Sequence, residues 1–376
     1  MNEIYIFSFF AGSGFLDLGF ELNNYKIAFV NEIHSPFLNA YKYSRNAMKL
    51  PQPEFGYSNI DINRLHTDNF FLKSSIQELK NRGKIIGFIA GPPCPDFSVG
   101  GKNRGSKGDK GRLSLDYIKI VQQYNPDFML FENVKGLWRT KIHRIFYDGL
   151  KKELNDAGYF TTDKLLNSIE YGVPQDRERI ILLGFKKELL RNLKLVGTND
   201  QPNDSSLDFF PWNTFAKYSI GEINKINWPT TNVFVEDSLF PIPSGLIREL
   251  TVEYWFEKNN VTNHPNSNDH FAPRQGISKM KIIDEGDVSK KSYKRLHRWR
   301  YSPTVAYGNN EVHLHPYKIR RLSAAEAMSI QSLPREFELP YTMSLSDMFK
   351  TIGNGVPFLM AHSVAKSILS FIQGEI

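Results

Sequence analysis

Residues 4–32 read IYIFSFFAGSGFLDLGFELNNYKIAFVNE, and this stretch decides the fold class. IYIFSFF (4–10) is a continuous apolar run of β-branched and aromatic residues, the pattern of a strand buried on both faces. After AGSG, the apolar residues of FLDLGFELNN fall at helical spacing, and KIAFVNE (26–32) returns to an apolar run. Strand, glycine turn, helix, strand is the opening of a crossover between parallel strands. The glycines of Phe10-Ala11-Gly12-Ser13-Gly14 let backbone amides approach a ligand where the helix begins. Glu32 ends the second strand, at the spacing where a carboxylate meets ribose hydroxyls. A full dinucleotide fingerprint has a third glycine at position 17, where Asp17 stands, so the pattern favours a nucleoside cofactor other than NAD.

The same alternation continues outward. KIIGFIAG (84–91), DFMLFEN (127–133) and RIILLGF (179–185) read as further strands, and SPFLNAYKYSRNAM, SLDYIKIVQQY and IFYDGLKKELNDAG as helices between strands. Apolar strands separated by helices predict an α/β fold, a doubly wound, mostly parallel sheet covered on both faces. After Phe185 the character changes. TNDQPNDSS (198–206) and NNVTNHPNSND (259–269) are rich in turn formers, and polar and basic residues accumulate from about 190 to 318, which predicts a second, irregular domain. Helical spacing resumes at SAAEAMSIQSL (323–333) and PFLMAHSVAKSILSFI (357–372).

The chain has 376 residues, 41% apolar and 23% charged, an ordinary composition for folded domains and room for two of them. No run of about 18 apolar residues occurs, so no membrane span is expected. The glycines that follow the first apolar run suit a folded turn rather than a cleaved leader. A single cysteine, Cys94, excludes an intrachain disulfide and a zinc site built on several thiolates, and suits a reducing cytoplasm. No cluster suggests a metal, and His297, His313 and His315 read as surface or packing residues. The net charge of +7 permits a polyanionic partner. Lys290, Lys291, Lys294, Arg295, Arg298 and Arg300 crowd one segment, with Tyr293, Trp299 and Tyr301 among them. That pattern suits a phosphate-tracking surface, and equally a solvated face.

Four segments carry candidate chemistry. Gly91-Pro92-Pro93-Cys94-Pro95 follows a strand, where α/β sheets place ligands, and the prolines stiffen the backbone around a thiol that is either a nucleophile or core filler. FSVGGKNRGSKGDKGR (97–112) combines glycines with Lys102, Arg104 and Lys107, as in a lid over nucleic acid or a plain surface loop. Glu132, at the end of FEN, emerges from apolar surroundings that suit a raised pKa and acid catalysis. In QDRER (175–179), Arg177 and Arg179 alternate so as to share a face, although salt-bridged surface arginines are the commoner reading.

Taken in order, FAGSG, GPPCPDFS, ENV, QDRER, RRLSAAEAMSIQSLP and TIGNGVP resemble the cytosine-C5 DNA methyltransferase family, from Phe10 to Pro357. The resemblance implies a Rossmann-like S-adenosylmethionine-dependent fold with a catalytic domain at 1–189 completed by 345–376. It implies a target-recognition domain at 190–344, variable over about 190–318. Cys94 would attack C6 of a flipped cytosine, Glu132 would serve N3 and N4, and Arg177 would stabilise developing charge beside Arg179. Phe10, Ala11, Gly12, Ser13, Gly14, Glu32, Asp61 in NIDIN, Asn354 and Val356 would border S-adenosylmethionine and its product S-adenosylhomocysteine. The implied partner is double-stranded DNA, bound by a monomer in the cytoplasm at the nucleoid, with a cognate restriction endonuclease sharing the target sequence without direct contact. A branch of the family acts on tRNA, and a catalytically silent DNA-binding module is the alternative outside enzymes. Pro95 replaces a common glutamine, Gly355 a common alanine, and QSLP the usual QGFP, none of them a catalytic residue.

Overall fold

The computed structural model describes residues 3–65, 69–93, 109–197, 200–202, 207–273, 276–290, 292–305, 307 and 313–375. Seven strands form one sheet: β1 (Ile4–Phe9), β2 (Lys26–Asn31), β3 (Tyr57–Ser58), β4 (Ile85–Ala90), β5 (Phe128–Val134), β6 (Tyr159–Asn167) and β7 (Glu178–Lys186). Their spatial order is β3-β2-β1-β4-β5-β7-β6. The pairs among β3, β2, β1, β4 and β5 are parallel, whereas β7 runs antiparallel to both β5 and β6. Strand order reverses between β1 and β4, the switch point at which such sheets open a crevice beyond their carboxyl ends.

Alternation along the strands builds both faces. Ile4 and Ile6 join Ile27, Ile89, Leu130 and Leu183 on one side, whereas Tyr5, Phe7 and Phe9 join Phe88, Met129 and Leu182 on the other. The first face is covered by α1 (Phe15–Glu21), α2 (Ser35–Ala47) and the last helix, labelled α8 below (Phe358–Gln373). The second is covered by α3 (Phe70–Asn81), α4 (Asp109–Tyr124) and α5 (Lys141–Asp156). Two further helices, α6 (Ala324–Ile330) and α7 (Leu345–Asn354), precede α8. The sequence reading missed β3 and β6, α3 and α7, and the antiparallel sense of β7.

The carboxyl-terminal helix is part of the sheet domain's core. The Tyr25 hydroxyl donates to the Ala365 carbonyl at 2.8 Å, and the Phe185 and Phe371 rings lie 5.0 Å apart. At Gly19 on α1, a Cβ would stand 2.6 Å from the Ala361 carbonyl carbon and the His362 nitrogen, backbone atoms that cannot rotate away. Gly19→Ala is therefore expected to cost about 3 kcal/mol by overpacking, near the upper end for an inserted methyl. Denaturant unfolding checks this, and unchanged stability would contradict so close an α1–α8 contact.

Between β7 and α7 the described residues form mostly loops and short helices, in keeping with the composition. Val252, Phe256, Leu296, Val305, Leu322, Ala325 and Ile330 form one small core, and Ala324, Ala327, Met328, Leu333 and Phe337 pack instead with Phe15 and Leu18 of the sheet domain. Helix α6 thus carries a core on each side. No single helix among the described residues is long and apolar enough to cross a membrane.

Candidate active site

A cleft of about 1240 Å³ opens at the carboxyl ends of β1, β2, β4 and β5. It exceeds the roughly 300–1,000 Å³ of a single-ligand pocket, room for a cofactor and a second reactant. Its walls bring together segments distant in sequence: 10–13, 32–34, 91–93, 132–136, 176–179, 303–305 and 353–356.

At one end, the glycine turn leaves β1 with Gly12 and Gly14 in the left-handed region (φ 57° and 80°), open to glycine without strain. The Gly12 N–H donates to Glu32 Oε2 at 2.9 Å, and the His34 N–H to Glu32 Oε1 at 2.7 Å. Burial raises the Glu32 pKa, and these two backbone bonds oppose the rise. A carboxylate has about four acceptor positions, so Glu32, with two amides bonded, keeps capacity for a ligand's hydroxyls. Asp61 also faces the cleft, its Oδ1 accepting from the Asn63 N–H at 2.9 Å. Asn354 lies exposed at the rim, and Val356 is buried in the wall. Nothing larger than glycine fits at Gly355, where a Cβ would meet the Phe15 ring at 2.1 Å. Phe10, Ala11, Gly12 and Ser13 line the cleft; Gly14 does not, and its carbonyl accepts from Arg45 instead. This end matches the needs of a nucleoside: an oriented carboxylate for a ribose, unhindered backbone, and apolar walls from Ile33, Phe37 and Ile62.

Beneath the turn lies Asp17, the residue that displaced the third glycine. It is buried, accepts from the Ser8 and Tyr41 hydroxyls at 2.9 and 3.1 Å, and is pushed up to about 6 by burial.

At the other end, Glu132 is 6% exposed, and Arg179 Nε lies 3.0 Å from its Oε1. Burial raises the Glu132 pKa, opposed first by Arg179 and then by Arg177. Gly91 packs against this carboxyl: a Cβ there would stand 2.9 Å from Glu132 Oε2 and shift it. The two arginines meet different partners. Arg177 is tied by its guanidinium to backbone carbonyls: Nη1 to Val305 at 2.7 Å, Nη2 to Gly353 at 2.8 Å and Gly355 at 3.1 Å. Arg179, expected to be the subsidiary partner, is the one paired with Glu132. Both line the cleft.

Cys94 and the loop cations Lys102, Arg104 and Lys107 lie outside the described residues, as does Lys291. The residues before the cysteine reach the cleft: Pro92 and Pro93 line it, and Asn133 Nδ2 donates to the Pro92 carbonyl at 3.5 Å.

Part of the expected phosphate-tracking surface is corrected. Arg295 is fully buried, donating to the carbonyls of Met280, Ile283, His315 and Lys318. Arg298 is 3% exposed and paired with Glu285 at 2.8 Å. A buried guanidinium persists only with such partners, so these two brace the loops between Ser238 and Lys318 from inside. Trp299 is buried as well, its indole donating to the Phe240 carbonyl. Lys290 is exposed, and Lys294 and Arg300 are half-buried. His297, His313 and His315 are all buried packing residues.

The sequence reading missed a junction behind Arg177. Gln175, fully buried, donates to Gln331 Oε1 at 3.2 Å and accepts the Val305 N–H at 3.1 Å, while Gln331 donates to the Ile352 carbonyl at 2.6 Å. Thr351 was also missed; its hydroxyl lies 2.8 Å from that of Ser13. The Gln in QDRER and in QSLP was the available signal for the first. Nothing local marked the second.

Residues 4–370 match the family model described as C-5 cytosine-specific DNA methylase. The type II methyltransferase M.NmeDI of Neisseria meningitidis serogroup C is 53% identical over 372 residues, 98% of this chain and 84% of the relative. The fold is similar to that of a crystal structure described as an E. coli prophage-encoded DNA modification methyltransferase, with TM-score 0.62 and 17% identity over 99% of this chain and all of the other. It is also similar to a mutant of Spodoptera frugiperda DNMT2, with TM-score 0.57 and 16% identity over 98% of this chain and all of the other. With the family match running from β1 into α8 and the relative aligned along nearly the whole sequence, this chain belongs to the C-5 cytosine-specific DNA methylase family.

Proposed function

We propose that the chain is a sequence-specific DNA (cytosine-5-)-methyltransferase that modifies a cytosine flipped from the duplex through a covalent bond to Cys94. Its family and its 53% identical relative make it a DNA cytosine-C5 methyltransferase of the type II kind. Enzymes of this family use S-adenosylmethionine, which supplies an electrophilic methyl group. The turn at Gly12 and the carboxylate of Glu32 would hold it, with Asp61, Asn354 and Val356 around it. The observation that carries the reading is that two half-sites share one cleft: the Glu32–Gly12 cradle at one end and the Glu132–Arg179 pair at the other, with the segment leading to Cys94 in the same wall.

In this reading the Cys94 sulfur adds to C6 of the cytosine, and the Glu132 carboxyl provides the proton that N3 takes as the ring accepts electrons. Arg179 orients that carboxyl, and Arg177 holds the 353–355 and 305 backbones around it. The electron pair at C5 would then take up the methyl group that the sulfonium donor supplies, the methyl–sulfur bond breaking as the C–C bond forms and a neutral thioether leaving. Loss of the C5 proton restores the C5–C6 double bond and expels the sulfur. Flipping is required because C6 and C5 lie within the stack of a duplex. Base reading is assigned to residues 190–344, with 190–318 as its variable part, and to side chains other than Arg295 and Arg298. The chain acts as a monomer on cytoplasmic, nucleoid DNA, whose target sequence a restriction endonuclease shares.

The test is methylation of unmethylated genomic DNA by purified protein and S-adenosylmethionine, read at single-base resolution, with tRNA in parallel. 5-Methylcytosine confined to one short DNA motif is expected. Marks on tRNA alone, or on neither substrate, would overturn the reading.

A further inference from the structure

A fully buried charged group of the sheet layer, Arg45, lies outside the cleft lining, behind the glycine turn. Arg45 of α2 has no solvent exposure. Its Nε and Nη2 donate to Glu21 Oε2 on α1 at 2.9 and 2.6 Å, the paired carboxylate itself being 8% exposed. The same Nη2 donates to the Gly14 carbonyl at 2.6 Å, and Nη1 to the Ser13 carbonyl at 3.4 Å. The guanidinium lies 4.1 Å over the Tyr41 ring, whose hydroxyl bonds Asp17. Gly14 packs so tightly on this group that a Cβ would stand 2.4 Å from Tyr41 Cε2 and 2.7 Å from Arg45 Nη2.

Burying a charge pair is costly, and apolar residues of similar volume would fill the space as well. What such residues cannot do is donate hydrogen bonds to two consecutive carbonyls of a loop. A peptide's carbonyl and N–H point in opposite directions, so a fork on the Ser13 and Gly14 carbonyls fixes the orientation of the Gly14 and Phe15 amides. The Gly14 N–H is held from the other side by the Ala11 carbonyl at 2.8 Å. On the cleft side of the same turn, the Gly12 N–H meets Glu32.

We propose that Arg45, with Glu21 as its counter-ion, is a positioning residue of the cofactor site: it clamps the Ser13 and Gly14 carbonyls and so sets the glycine turn before the cofactor arrives. The inference rests on the reading that this turn borders S-adenosylmethionine. Arg45 does not line the cleft and acts through the turn. Lysine cannot replace it, because a single ammonium lacks the planar fork that reaches Glu21 and the turn together.

Two measurements test it. In Arg45→Lys, calorimetry with S-adenosylhomocysteine is expected to show Kd raised about tenfold, the worth of one charge-assisted hydrogen bond. KM for S-adenosylmethionine rises with it, while kcat at saturating donor and KM for DNA stay within about threefold. Glu21→Gln, which keeps an acceptor but removes the counter-charge, moves Kd the same way by less. Kd unchanged within twofold in either variant that folds overturns the proposal, as does a fall in kcat with Kd unmoved. The second measurement needs neither variant nor ligand. In the wild-type protein alone, the Gly12 and Gly14 amides should exchange with solvent as slowly as those of β1. Free exchange there would mean the turn is not set in advance and would refute the clamp even if the cofactor assignment stands.

Discussion

Cys94→Ala is expected to abolish methyl transfer, lowering the rate by roughly 10⁴-fold or more, as removal of a covalent nucleophile does elsewhere. C5 of cytosine is a poor nucleophile until a sulfur adds at C6, and Cys94 is the chain's one thiol. Structure around the cysteine supports the assignment. β4 delivers Gly91, Pro92 and Pro93 into the cleft beside Glu132, and the single Tyr117 hydroxyl proton is shared between two carbonyls in reach, Phe88 of β4 at 3.0 Å and Leu130 of β5 at 2.9 Å. DNA binding should remain measurable in the variant, because alanine removes a reactive atom and little surface. Wild-type protein with S-adenosylmethionine should form a covalent adduct with DNA containing 5-fluorocytosine, since fluorine cannot leave as the C5 proton does; Cys94→Ala should form none. Appreciable methylation by the variant would remove Cys94 as the nucleophile.

The parts of this molecule legible in its sequence are those whose environment is uniform. β1, β2, β4, β5 and β7 are buried on both faces, so their side chains are apolar at nearly every position and announce a covered sheet. β6 is an edge strand carrying Thr161, Thr162, Asp163 and Lys164, and its polar half conceals it. β3 has only two residues, too few for any period. The direction of β7 was likewise hidden, because an apolar run reads the same in either sense.

The site was legible by residue type and not by partner. Glu32 and Glu132 were found because a carboxylate at the end of an apolar strand is conspicuous. Which arginine pairs with Glu132 depends on carbonyls at Val305, Gly353 and Gly355, more than a hundred positions from Arg177 in sequence. Arg295 and Arg298 looked like surface cations among aromatics, and their counter-groups are what the local pattern could not reveal. Glu285 and a ring of backbone carbonyls turn the same residues into an interior framework. Ser13 and Thr351 meet across 338 positions, a contact only the return of the last helices creates.

Glu132→Gln is expected to lower kcat by roughly 10²–10⁴-fold, the usual worth of a general acid, with KM for DNA changed by far less. Glutamine fills the same space and its carbonyl can still accept from Arg179, so the pocket keeps its shape; its amide can hydrogen-bond to N3 but has no proton to give up. The environment explains why a carboxyl serves here. Burial favours the protonated form of Glu132, while Arg179 and Arg177 favour the ionised one, and the opposition leaves a proton that is held but transferable. Because burial raises the pKa, the protonated form persists to higher pH than in an exposed glutamate; as pH climbs past that value the proton is lost and the rate should fall. Glutamine removes this limb of the pH profile altogether, an effect that mere loosening of the pocket would not produce. The variant also takes the counter-charge from two neighbouring guanidiniums, so its melting temperature should drop, and rates are compared well below it. S-adenosylhomocysteine should bind as tightly as to wild type, because Glu32 and the glycine turn are untouched. A kcat within about fivefold of wild type, far below what a general acid contributes, would reduce Glu132 to a structural partner of Arg179.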